Sequence, residues 1–288
     1  MPATPPELFA TLIDDAAVFP PGRAPLPLAL TRHTRHRGAS YAATIGPLLL
    51  PTDLIEPLTG LVPRAGVRPV HVGLIARPGT DPAAVTAAMT LAGGHPGIEI
   101  FSVDIGWQPG WQDLSLGVPM AVEIPRGDDQ QRAFDEVAAA ATGGAPVVGK
   151  FRTGPTPEWS WPDEAELAAV ILGFVRRETP FKLTGGLHHA IRGTYSPEGT
   201  PEENHGVVNV LLAVDCALHA KGAALLRAVL ADRDSRALSD AVSSWGAPRA
   251  AKVRRALTSF GCCDVTDPVT ELTHLGLLPS DHRPKDAR

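Results

Sequence analysis

Between about residues 45 and 187, short apolar runs alternate with segments long enough to form a helix, and this alternation constrains the fold more than any other feature. Residues 45–50, 70–75, 98–105, 120–124, 147–152 and 180–183 read as six strands. The helical segments between them carry end signals. Thr52 or Asp53 can cap the first, and Asp81-Pro82 opens the second with a cap and a first-turn proline. Asp128-Asp129 precede a helix that stops before Gly143-Gly144, and the segment 163–177 starts on Asp163-Glu164 and ends on Arg176-Arg177, matching the helix dipole. Strands alternating with helices predict right-handed βαβ units and a parallel sheet. No G-x-G-x-x-G turn follows any of these strands. The expected fold is therefore α/β, a (β/α)8 TIM-type barrel, rather than a dinucleotide-binding sheet.

The pattern is less regular after residue 189. Residues 192–204 are polar and read as a loop, 205–230 are mostly apolar and read as helical, and 232–245 fit no clear period. A basic helix is expected over 248–257 and a last strand over 260–264, and the polar tail from Pro279 is expected to fray. The whole chain, 1–288, is expected to form a single barrel domain with an irregular C-terminal part and an insertion or lid-like segment at about 190–258. The 44% hydrophobic content supports a large core, and the 29 prolines and 28 glycines fit many turns. A net charge of −5 provides no basic footprint for nucleic acid. Cys216, Cys262 and Cys263 make no disulfide framework and no C-x-x-C zinc pair. The N-terminus lacks a basic-then-apolar leader, and no run reaches the roughly 18 apolar residues of a membrane span. A reduced, cytoplasmic, soluble protein is the expectation.

Lys150 and Lys182 each lie near the end of a predicted core strand, and each is followed by a glycine turn. Lysine is seldom buried without a partner or a chemical task. The two are 32 residues apart, about one strand–helix repeat, so neighbouring strands would carry them. Adjacent ammonium groups lower each other's pKa, which is one route to a nucleophilic amine. At the C-terminal ends of barrel strands, polar residues share one pocket. Those ends supply Asp104, Glu123, Lys150 and Lys182 as candidate catalytic residues. Arg152, Thr153, Gly185, Gly186, His188 and His189 follow as candidate substrate-binding residues, with His205 and Asp15, of the Asp14-Asp15 pair, as outlying members. Adjacent histidines in a strand-like segment point opposite ways, so at most one of His188 and His189 would face the pocket.

The order of these segments resembles class I deoxyribose-phosphate aldolase. The resemblance runs through Asp104 in Val103-Asp104-Ile105, Glu123 in Val122-Glu123-Ile124, Lys150 in Lys150-Phe151-Arg152-Thr153-Gly154, and Lys182 in Lys182-Leu183-Thr184-Gly185-Gly186, over about residues 98–187. It implies that Lys150 is the Schiff-base lysine, that Lys182 is the second lysine, that Asp104 is the essential aspartate and that Glu123 is the glutamate ending the next strand; no cofactor is expected. Arg152 stands where the family has a small hydroxyl residue. The glycine–serine phosphate loop has no counterpart one unit after Lys182, so the resemblance extends to the lysine chemistry and not to the substrate.

The leading expectation is a lyase of aldolase type, an enzyme acting on a small carbonyl or carboxylate compound. A second reading is a divalent-metal-dependent hydrolase or isomerase holding zinc or manganese through Asp104, Glu123, His188 and His205. A third is a non-catalytic anion-binding barrel. Nucleic acid and membrane are not expected partners, and a homo-oligomer is compatible with the chain. The bland alternative for Lys150 is a buried ion pair with Glu123 or Asp104. Trp107, Trp111, Trp159 and Trp161, in predicted loops, read equally as a lid or as loop anchors.

Overall fold

Strands β1 (Ile13–Asp15), β2 (Ile45–Pro51), β3 (Val70–Ile75), β4 (Ile98–Gly106), β5 (Met120–Glu123), β6 (Val147–Arg152) and β7 (Phe181–Thr184) lie side by side in sequence order. Strands β8 (Gly193–Tyr195) and β9 (Glu202–Asn204) form a separate antiparallel hairpin. Strand β10 (Leu257–Cys262) then inserts in parallel between β7 and β1 and closes the barrel. The chain is a (β/α)8 barrel of eight parallel strands. The computed structural model describes residues 6–64, 68–77, 79–196 and 199–279.

Helices α1 (Leu26–Arg37), α2 (Ile55–Leu61), α3 (Pro82–Gly93), α4 (Gln130–Thr142) and α5 (Glu164–Arg176) connect successive strands from β1 to β7, except between β4 and β5, where the connection holds only a 3-10 turn at Trp111–Asp113. The caps at Asp81 and Asp163 accept from Ala83 N and Glu166 N, as their positions predict. Thr52 and Asp53 instead form a 3-10 turn ahead of α2, with no side-chain cap. The tail beyond residue 279 lies outside the described residues.

The segment after β7 differs most from the expectation. The supposed loop 192–204 contains the β8–β9 hairpin. The apolar run 205–230 is two helices, α6 (Val207–Leu218) and α7 (Ala223–Ala231), broken at Ala220, whose backbone has φ +54°. The stretch without a clear period forms α8 (Ser235–Ser243), capped by Asp234. The basic helix is α9 (Ala247–Ala256), and α10 (Thr266–His274) follows the last strand. Asn209 on α6 fixes this arrangement. Its Oδ1 accepts from Arg192 N, and its Nδ2 donates to Val229 O and Asp232 O, all at 2.8 Å.

Gly149 on β6 shows how tightly the barrel packs on its helices. Phe174 of α5 lies flat on Phe181 of β7, with ring centroids 4.7 Å apart, and meets Phe134 of α4 edge-on at 4.8 Å. A Cβ on Gly149 would sit 2.0 Å from Phe174 Cε1. Because two other rings hold that ring, Gly149→Ala is expected to destabilise the fold by about 1–3 kcal/mol. A lowered urea midpoint with an unchanged slope would show this.

Candidate functional site

A parallel register places Glu123 opposite Lys150 and Lys150 opposite Lys182 on adjacent strands. In a strand, alternate residues share a face, so Lys150 and Arg152 both point into the barrel. Six side chains of alternating charge thereby join into one chain: Asp14, Lys182, Asp104, Lys150, Glu123 and Arg152. Lys182 Nζ lies 2.8 Å from Asp14 Oδ2 and 3.2 Å from Asp104 Oδ2. Lys150 Nζ lies 3.2 Å from the same Asp104 oxygen and 3.1 Å from Glu123 Oε2. Arg152 Nε donates to Glu123 Oε1 at 3.2 Å. The two lysine nitrogens share one oxygen, so at most twice 3.2 Å separates them.

Burial makes this pairing obligatory, because an isolated charge in the interior is far costlier than a matched one. Asp14, Asp104, Lys150 and Lys182 are all buried. The far end of the chain is more open: the side chains of Glu123 and Arg152 are 22% and 39% exposed, against 5% for each lysine. Three carboxylates oppose three cations, so the chain is neutral overall. Asp104 Oδ1 has no hydrogen-bond partner among the described residues, which leaves it free to accept one.

The environment tunes these groups in different directions. Burial opposes the charged form of Asp104, but Lys182 and Lys150 outweigh it and hold the carboxyl below its usual range. Burial likewise opposes ionised Glu123, while Lys150 and Arg152 together lower its pKa. For Asp14, burial prevails over Lys182 and Ser259, and its pKa is raised. Burial would discharge Lys182, yet Asp104 and Asp14 overcome it and push the pKa up. The expected mutual lowering by two ammonium groups therefore does not hold for Lys182. Asp104 sits between the lysines, and Lys182 is a standing cation.

Asp14, not Asp15, enters the barrel. Asp15 is buried on the opposite side of β1, where its carboxylate pairs with His33 Nδ1 on α1 at 3.0 Å and accepts from Ala17 N. Asp14 instead accepts from Ser259 Oγ at 2.9 Å, and Gly46 leaves it room, because a Cβ there would meet Asp14 Oδ1 at 2.3 Å.

The remaining candidates are dispersed. Thr153 is buried and donates to Thr184 O at 3.2 Å. Gly185 has φ +80°, and a Cβ on Gly186 would strike Thr153 O at 2.3 Å, so these glycines let the loops after β6 and β7 pack backbone to backbone. His188 Nδ1 faces Cys263 Sγ at 3.4 Å and Cys262 Sγ at 3.8 Å; burial, aided by His189, lowers its pKa to about 4. His189 points the other way, bonding Glu271 at 2.7 Å and stacking on Tyr195. His205 is buried against Pro162 O at 2.8 Å, and burial lowers its pKa. Asp104 and Glu123 engage the lysines while His188 and His205 engage other partners, so the four proposed metal ligands do not converge. Among the described residues, no group of three or more His, Cys, Asp or Glu side chains is arranged to hold a metal ion. Trp111 is buried in the core, Trp107 donates to Glu136, and the exposed Trp159 lies 5.3 Å under Arg126.

No protein-family model and no curated protein matches this chain. Among solved structures it is similar to a Yersinia pestis DHPS bound to a pterine-sulfa conjugate, at 12% identity over 93% of this chain and 94% of that one, with a TM-score of 0.44. It is also similar to a candidate fructose-1,6-biphosphate aldolase from Coccidioides immitis, at 13% identity over 88% of this chain and 76% of that one, with a TM-score of 0.33. Among the described residues, no helix is long and apolar enough to cross a membrane.

Proposed function

We propose that the chain is a lyase of aldolase type in which Lys150 forms an imine with a small carbonyl compound, as its resemblance to class I deoxyribose-phosphate aldolase implies. The observation that carries this reading is the position of Lys150 between a buried aspartate and a half-open glutamate, one strand from a standing cation. The substrate approaches from the mouth where Glu123 and Arg152 are exposed. Arg152 suits a carboxylate on that substrate, because its forked donors match two oxygens.

The Lys150 ammonium first gives one proton to Glu123, and the freed Nζ pair adds to the carbonyl carbon as the π pair moves to oxygen. That oxygen leaves as water with two protons, both from the Lys150 nitrogen by way of Glu123, and the one proton left on nitrogen makes the imine a cation. The protonated imine then draws in the electron pair of the bond between the α and β carbons as that bond breaks, leaving an enamine on Lys150 and a free carbonyl fragment. The proton of the substrate's β-hydroxyl passes to a carboxylate, with Asp104 Oδ1 unpartnered and within the chain to take it. Lys182 stays charged throughout and keeps Asp104 a carboxylate until that proton arrives.

Reduction with borohydride in the presence of a panel of small aldehydes, ketones and oxo acids, followed by peptide mass mapping, tests the proposal. The expected result is one reduced adduct on the peptide carrying Lys150. Adducts confined to Lys221 and Lys252, or none with any carbonyl, would overturn it.

A further inference from the structure

The interior of the barrel is hollow on the side away from Glu123 and Arg152. Inward positions on the N-terminal side of the charged chain carry mostly small side chains: Gly46, Ser102, Ala121 and Ser259. In a barrel of this size, bulky side chains from alternate strands ordinarily fill that layer. Here a cavity of about 1140 Å³ reaches a floor made by Asp14 and Lys182 and extends outward past the N-terminal mouth to Leu30 and Thr34 of α1 and Leu61 of α2. Its volume lies just beyond the usual range of small-ligand sites, and most of its lining is apolar.

The charges around it are one-sided. Asp14 is the only acidic residue among the described lining residues, whereas Arg35, Arg37 and Arg68 line the outer part. Arg37 is committed to Ala42 O and Ile45 O, while Arg35 and Arg68 are exposed. Phe101, 52% exposed, also lines the mouth, stacked on His71 with centroids 6.2 Å apart. The floor gives an anion no purchase, because Lys182 is already neutralised by Asp14 and Asp104.

We infer that this N-terminal cavity is a second binding site, for an amphipathic carboxylate whose apolar body lies in the hollow and whose anionic head stays at the Arg35–Arg68 rim. An apolar body gains from leaving water, and the exposed arginines attract the head. The inference is independent of the chemistry proposed for the opposite mouth.

Titration calorimetry on the full chain with dodecanoate, and with dodecanol as its neutral counterpart, tests it. One dodecanoate is expected to bind per chain, with dodecanol weaker by roughly fivefold, the worth of about 1 kcal/mol of exposed charge pairing. Arg35→Glu combined with Arg68→Glu, both on the surface, should weaken dodecanoate by at least that factor and leave dodecanol unchanged. Ala121→Leu, which projects an isobutyl group into the hollow, should weaken both by more than about tenfold. Absence of dodecanoate binding, equal affinity for the two probes, or wild-type binding by the arginine variant would overturn the inference. Unaltered binding by a folded Ala121→Leu protein would place any ligand outside the hollow and also overturn it.

Discussion

Lys182→Met is expected to lower the free energy of unfolding by about 3–5 kcal/mol, the usual penalty for breaking a buried ion pair from one side. Lys182 is the only cation in contact with Asp14 among the described residues, and one of two in contact with Asp104. Methionine fills the same volume but leaves Asp14 charged and unpaired, or forces it to take up a proton. The remedy is specific. Adding Asp14→Leu to Lys182→Met removes the orphaned carboxylate and leaves Asp104, Lys150, Glu123 and Arg152 as a shorter neutral chain. The double variant is therefore expected to regain most of the lost stability in urea denaturation, with strong coupling between the sites. Simple addition of the two single losses would mean that Lys182 is held by packing and not by Asp14.

Glu123→Gln is expected to slow the formation of the Lys150 adduct by about 10²–10⁴-fold at neutral pH, the range typical of losing a positioned acid–base group. Glu123 Oε2 is 3.1 Å from Lys150 Nζ, and glutamine preserves the shape while losing the capacity to carry a proton. Stability should fall less than in Lys182→Met, because Glu123 is partly exposed and Asp104 still pairs Lys150. The check is the time course of borohydride-trappable mass with the best carbonyl of the panel. An unchanged rate would remove Glu123 from the proton path.

The barrel was legible because its signals are local and repeated. Strand β3 covers the residues that periodicity assigns, 70–75, and α5 begins one residue after its capping Asp163. The register that aligns Lys150 with Lys182 follows from one βα repeat between them. Strand β1 was harder, since its three residues are all buried and three residues establish no alternation. The choice between Asp14 and Asp15 therefore depended on which face met Lys182 and which met His33, both distant in sequence. The segment 190–256 was obscure for a similar reason. Its helices are ordered by Asn209 reaching Val229 and Asp232, and by Arg249 reaching Asp215 at 2.6 Å, contacts that no local window contains. Strand-end reasoning picked out both lysines, the Asp104 they share and the Glu123 on Lys150 as a set, but missed Asp14, the second acid on Lys182. It did not reveal that Asp104 lies between the lysines, which turns mutual repulsion into mutual stabilisation.

Lys150→Arg keeps a cation between Asp104 and Glu123 but cannot form an imine, so it separates chemistry from structure. Intact mass after borohydride reduction with the best carbonyl is the decisive measurement. Wild type should gain one reduced-imine mass, while a folded Lys150→Arg protein gains none. The same gain in both proteins would contradict the assignment of the reactive amine to Lys150.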